Sequence, residues 1–494
     1  MKIRVEAVTV PKINTPSNLP TAHHEFNEGI LSAPAHSSYS SISEHTLPRL
    51  HLLDRFEQSP ASVTSGSSWP VNLDRLIEVP SSGTYVSHLG LTRDTSISPA
   101  SPCLFPLPDD DATLLRYFVT DLCSWFDYCD KKRHFLTVAI PAAASDSTLL
   151  DAILALSAKH LSLNGKFDRY ASDKYQRRCL EKLIPALNDQ KSLLDENLFA
   201  ATIILRLLDE MTGMGSPCAG YLSGRRYLCG ATLYKLRQYS EPIGTTQGHI
   251  LGTHFLVRAR QEPASESSLR EACLVVGLRQ DIFISFTTQR PLRPLAGYCH
   301  IDRSFSAADD WTWTHRIIAH SADILNYCHG NKPRGVETWK ALNSYTNDWE
   351  SLKPASFTPI KDAIAEPNKG RILPEKWYLN DCHIAGNQYL GICRILLLSF
   401  NPQTPQLGIE RKMADREQGE NIKDQVRFIC GIAISNRQFL PAMFTAGMAI
   451  AMCGERFTDP VEQHSLLDIL IEAEGHVAWP SLKFQDTMKS YWGI

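Results

Sequence analysis

Cysteine and histidine are the residue types with which this chain would ligate a metal or build a nucleophile. Their spacing speaks against both. The sequence holds 13 cysteines and 17 histidines. Zinc sites draw on ligand pairs two to four residues apart, so that both side chains reach one ion. No C-x-x-C and no H-E-x-x-H occurs. The tightest cysteine pairs are Cys123/Cys129, Cys218/Cys229 and Cys382/Cys393. Cys123, Cys129 and His134 are near one another in sequence, yet the two cysteines fall on different faces of a helix. Core packing is the expected role of cysteines set in apolar helical patterns.

The other chemistries fail in turn. Asp381-Cys382-His383 contains a thiol beside an imidazole. Successive side chains on a helix point about 100° apart, so the two cannot meet as nucleophile and base. No G-x-S-x-G elbow and no G-x-x-x-x-G-K-[ST] cradle is present. Gly213-Met214-Gly215 lacks the preceding strand that a dinucleotide fingerprint needs. Asp302-Arg303 and Asp309-Asp310 occupy a loop between helices. Asp310 is expected to cap the next helix and Arg303 to pair with a nearby carboxylate. Trp311, Trp313, Trp339, Trp349 and Trp377 are dispersed over several segments, as inter-helix wedges are, not gathered as a base-stacking platform. The sequence thus nominates no catalytic, cofactor-binding or metal-ligating residue.

The elements that would position any site are helices. Asp109-Asp110-Asp111 stand where acidic residues favour a helix start, and Leu114, Leu115, Phe118, Leu122, Trp125, Phe126 and Cys129 come after them near helical spacing. Similar patterns open at Ser147 and run over 168–187 (stopping near Pro185), 193–211, 248–262 and 266–288. They continue from Asp310 to Gly330, then over 335–351, 377–400, 415–436, 441–456 and 460–474. Alternating strand patterns are scarce. The predicted class is all-α: a layered multi-helix bundle of ten or more helices, several apolar on more than one face.

Two stretches depart from this pattern. Residues 1–108 are rich in Ser, Pro and Thr and are read as mostly disordered, because such composition buries too little apolar surface to offset ordering entropy. Residues 213–247 mix glycines, aromatics and Arg225-Arg226 in an atypical insertion between two good helices: a lid, a disordered insert or a retained intron. The helical domain is therefore expected over 109–494.

Charge narrows the function. Lys plus Arg total 50 and Asp plus Glu 53, for a net charge of −3. A free-standing nucleic-acid binder usually carries a basic face or tail, and none is obvious here. Lys131-Lys132-Arg133 is expected at the end of the first helix, where cations complement the dipole, and is too short for firm DNA affinity alone. The most apolar run, Ala442–Cys453, is shorter than the roughly 20 residues that span a bilayer, so no membrane partner is expected. The N-terminus shows no secretory pattern, which puts the cysteines in a reducing compartment.

The ordered part resembles the fungal-specific transcription factor domain, the helical region that follows a six-cysteine zinc cluster in many fungal regulators. The likeness is carried by LLRYFVTDLCSWFDYCDKKRHF, AILALSAKHLS, YQRRCLEKLIPALN and LFAATIILRLLDEM, and beyond the insertion by HILGTHFLVRAR, LREACLVVGLRQDIFISFTTQRPLR and DRSFSAADDWTWTHRIIAHSADIL. GRILPEKWYLNDCHIAGNQYLGICRILLLSFNP and the tail from Phe444 to Pro480 extend it over most of 112–492. The resemblance implies a nuclear, non-enzymatic regulatory domain that senses or assembles. It also implies partners: other transcription factors, a second copy, or a small-molecule effector. No cysteine precedes Cys103, so these residues cannot build the zinc cluster, and no zinc ligand or base contact is carried over. Zinc is expected only with an upstream cluster, and DNA contact through that missing module or through a partner. The alternatives are a helical small-molecule-binding protein or enzyme, drawing on Asp302, Arg303, Asp381 and His383, and a scaffold or dominant-negative partner of zinc-cluster factors.

Overall fold

A four-residue apolar spacing sets the first element. Leu114, Phe118, Leu122 and Phe126 are all buried. In an ideal α-helix each such step drifts by about 40°, so the stripe would leave the core within three steps. The helix absorbs the drift with a wider π-helical turn, Phe118–Leu122, between α1 (Asp109–Tyr117) and α2 (Cys123–Asp127). In this computed structural model the described residues are 105–186, 189, 192–211, 268–292, 301–477 and 481–494. Of the stretch expected to be disordered, residues 1–104 lie outside them, as do the insertion at 213–247 and the helix expected over 248–262.

Asp127 ends α2 and anchors the next turn of chain. Its buried carboxylate accepts the backbone N–H groups of Phe135 (2.9 Å) and Leu136 (3.0 Å), which open a second π-helical turn. Burial raises its pKa to about 6, against the pull of those two donors. The short α3 (Ile140–Ala142) leads to α4 (Ser147–Leu163), which Asp146 caps by accepting from the N–H groups of Thr148 and Leu149. α4 is buried nearly all round, with α1, α5 (Ala171–Ala186) and α6 (Glu196–Met211) packed about it. That is why its sequence is apolar on every face. Its one buried acid, Asp151, is held at 2.8 Å by both Arg178 and Lys182 of α5. Pro185 sits inside the last turn of α5.

α7 (Leu269–Thr288), capped by Ser268, joins this group to the next by packing on α6 and α8 (Asp310–His329). α9 (Val336–Leu352) leads to α10 (Asp381–Ser399), which lies against α8, α9, α11 (Gly408–Ser435) and α12 (Pro441–Cys453). α13 (Pro460–Val477) and α14 (Leu482–Trp492) close the chain, and α12 also touches α7. The all-α expectation holds, with one addition. An antiparallel hairpin, β1 (Lys361–Ala363) on β2 (Glu375–Trp377), pairs Lys361 with Trp377. Three-residue strands are too short to show alternation, so the sequence pattern starts a helix at 377, the last residue of β2, where α10 begins only at Asp381. Here α11 meets the chain so closely that a Cβ on Gly431 would fall 2.3 Å from the Pro374 carbonyl oxygen. No single helix is long and apolar enough to cross a membrane among the described residues.

Candidate functional site

Five helices leave a cavity where they converge, and helical spacing chooses its lining. α7 contributes Val276, Arg279, Gln280 and Phe283, at i, i+3, i+4 and i+7. α12 repeats that spacing with Pro441, Phe444, Thr445 and Met448. α6 adds Leu207, Glu210 and Met211, α10 adds Tyr389 and Ile392, and Trp125, Phe126 and Tyr128 come from α2 and its end. The cavity encloses about 870 Å³, counting its mouth. An apolar lining with a few polar groups is of the kind that small-molecule sites have.

The polar groups set its electrostatics. On the α6–α7 seam, Arg206 donates to Asp281 at 2.5 Å, and its Nε stands 3.6 Å from Glu210. Burial pushes Glu210 up to about 8, only partly opposed by Arg206. Arg279 differs. It is 7% exposed and has no carboxylate partner among the described residues. Its Nη2 donates to the carbonyl oxygens of Phe126 (3.0 Å) and Trp125 (3.4 Å), and its guanidinium lies 3.8 Å from the centre of the Tyr128 ring. Nε and Nη1 are sealed from solvent without a hydrogen-bond partner, as is Oε1 of Gln280. Burial holds Tyr128 at about 12 and Tyr389 higher still, so both phenols are neutral.

The residues singled out by sequence go elsewhere. Cys123 donates to Asp127 at 3.4 Å, His134 faces Asp130 at 2.7 Å, and Cys129 is buried, its thiol pushed up to about 12. No group of three or more His, Cys, Asp or Glu converges as metal ligands would, among the described residues. The helix cap is a correction: Asp309, not Asp310, caps α8 by accepting from Thr312 N–H at 3.0 Å. Asp310 is freed to face His383 Nε2 at 2.8 Å and to accept from Ser356 at 2.8 Å. Arg303 does pair with a carboxylate, Asp323, at 3.0 Å, while Asp302 takes Arg316 at 2.7 Å. Lys131 is a second correction. The cluster Lys131-Lys132-Arg133 comes after the end of α2 at Asp127 instead of filling its last turn, and Lys131 reaches Asp309 at 3.0 Å. Trp313 and Trp349 wedge together, the Trp349 indole donating to the Trp313 carbonyl at 3.0 Å. None of Asp302, Arg303, Asp381 and His383 lines the cavity. Arg279 and Gln280 were missed. The available signal was a polar pair on a face of 266–288 that is otherwise apolar.

Residues 113–323 match the family model of the fungal specific transcription factor domain, a span that takes in the lining from α2, α6 and α7. No curated protein and no solved structure gives a significant match to the chain.

Proposed function

We propose that this chain, whose residues 113–323 match the fungal specific transcription factor domain, is a fungal transcription regulator acting in the nucleus, and that its helices form the regulatory part. The family match is the observation that carries the reading. The charge balance favours indirect DNA contact, since a net −3 over 494 residues lacks the basic excess that direct phosphate binding draws on. DNA is then reached through a zinc-cluster module outside this sequence or through a partner factor, with self-association as the variant in which the partner is a second copy. The family match favours a non-catalytic role. The packing agrees, because Asp302, Arg303, Asp381 and His383 are not gathered at the cavity.

The test fuses the full chain to a heterologous DNA-binding module in a fungal host carrying the matching operators upstream of a reporter. A change in reporter output is expected, with the fluorescently tagged chain concentrated in the nucleus. Unchanged output and exclusion from the nucleus would sink the reading. Sequence-specific binding of promoter DNA by the purified chain alone would overturn the indirect contact.

A further inference from the structure

Four arginines are buried among the described residues, and comparing them points to the cavity. Arg206 has Asp281 and Glu210, and Arg316 has Asp302. Arg270 stacks over Phe199 and has further partners. Of the four, Arg279 alone lines the cavity, and its partners among the described residues are all neutral: two carbonyl oxygens, the Tyr128 ring and hydroxyl, and the Cys129 thiol. A guanidinium stays charged at every accessible pH. Removing such a charge from water costs several kcal/mol unless an opposite charge faces it. Two carbonyl dipoles supply part of that. The remainder is an electrostatic demand for an anion, in a space whose walls are aromatic and aliphatic.

We infer that the cavity between α2, α6, α7, α10 and α12 binds a small apolar or aromatic monocarboxylic acid, its ring system among Phe283, Phe444 and Met448 and its carboxylate toward Arg279. Three features of the lining fit this class. The walls are predominantly apolar, which suits a ring or alkyl body and offers little to a sugar or nucleotide. One cation matches one carboxylate, and no second basic residue among the described residues lines the space to favour a dianion or phosphate. The one carboxyl group in the described lining, Glu210, has its pKa pushed up by burial, which weakens its repulsion of an incoming carboxylate. Charge-assisted contact to a buried arginine is strong and selects against the neutral analogue, because exchanging the anion for an alcohol leaves the cation uncompensated.

The inference rests on the regulatory reading for its meaning, since a ligand lodged between α6–α7 and α10–α12 would bias how these helix groups pack. Its test does not depend on that reading. Purified full chain is titrated calorimetrically with 2-naphthoate and with the neutral isostere 2-naphthylmethanol, and its unfolding temperature is followed with each. Saturable binding of naphthoate, at least tenfold tighter than the alcohol, is expected. Arg279→Met should abolish that preference while still taking the alcohol, and Val276→Trp, which fills the cavity, should lose both. Absence of naphthoate binding, equal affinity for the two probes, or an unchanged preference in Arg279→Met would each overturn the assignment. Arg279→Lys is the control for folding: it keeps the charge, and should keep a weakened preference for naphthoate. If the reporter experiment fails while naphthoate binds, the cavity assignment stands and the regulatory reading falls. The reverse result separates them equally well.

Discussion

The seam between α8 and α10 and the cavity bounded by α6, α7 and α12 both bury polar side chains, and they treat charge in opposite ways. In the seam, polar groups meet partners. Asp310 faces His383, Arg316 faces Asp302, and the Thr314 hydroxyl donates to the Cys382 carbonyl at 2.8 Å. Backbone closeness matches this, since a Cβ on Gly386 would fall 2.8 Å from the Phe357 ring. In the cavity, Arg279 has no carboxylate partner among the described residues, and the described helices leave open space beside it. A seam packed and paired in this way is scaffold. A cation left over beside empty space is where recognition can reside, because its compensation has to come from outside. The same chain therefore spends its conspicuous Asp, His and Trp residues on structure and its inconspicuous helix face on the site.

The comparison is sharpened most by emptying the packed region. Trp349 is fully buried between Trp313 and Phe357. Trp349→Ala should cost about 3–5 kcal/mol in urea unfolding. A cost under about 1 kcal/mol would mean the seam is not close-packed. Next come the two arginine environments. Asp281→Asn should cost about 3 kcal/mol, because it strips Arg206 of its closest counter-charge. Arg279→Met should not destabilise by more than about 1 kcal/mol, because the desolvation penalty it relieves offsets the two carbonyl bonds it removes and no carboxylate is stranded. Equal losses in the two variants would erase the distinction drawn between these sites.

A pH series gives a smaller effect. Glu210 binds its proton more tightly when folded, at about 8 against an ordinary value of 4.5. A raised carboxyl pKa contributes stability that is fully present below pH 4.5 and is lost as pH rises through 8. Asp127 has the same sign but is finished near pH 6. Between about pH 6.5 and 8 the parent should therefore lose stability with a slope of up to about 1.4 kcal/mol per pH unit from this group, and Glu210→Gln should flatten it. Identical slopes in parent and variant would show Glu210 ionised in the fold. The smallest effect belongs to the half-exposed pair Lys131–Asp309, whose side chains are 59% and 38% exposed. Lys131→Ala should cost no more than about 0.5 kcal/mol, and less in high salt, as thermal unfolding would read it.

Much of the scaffold was legible because helical periodicity is a local property. The all-α class, the helix start at Asp109 and most helix positions follow from where apolar residues recur. Boundaries were less secure where two residues compete for one role. Asp309 and Asp310 are equally good caps by type, and only the loop's path decided that Asp309 turns back on Thr312 while Asp310 reaches His383. The hairpin escaped because its strands are held by a cross-chain register and by Asn436 and Ser435 of α11 and its end, which bond the backbone of Tyr378 and Lys376. Those are partners distant in sequence, and no local pattern announces them.

Sequence by itself determined the helical class, the near-neutral charge, the lack of a zinc-cluster cysteine pattern in these residues, and the resemblance to the fungal-specific transcription factor domain. Each depends on residue type, count or short-range spacing. Tertiary structure alone decided which polar residues find partners. Arg206 and Arg279 are both arginines on apolar helices, and along the chain they differ chiefly in that Arg206 has Glu210 one turn on. What separates them is that α7 brings Asp281 against Arg206 and turns Arg279 toward the space that α10 and α12 leave open. Electrostatic compensation depends on distance in space, and only the packing of distant helices sets that distance.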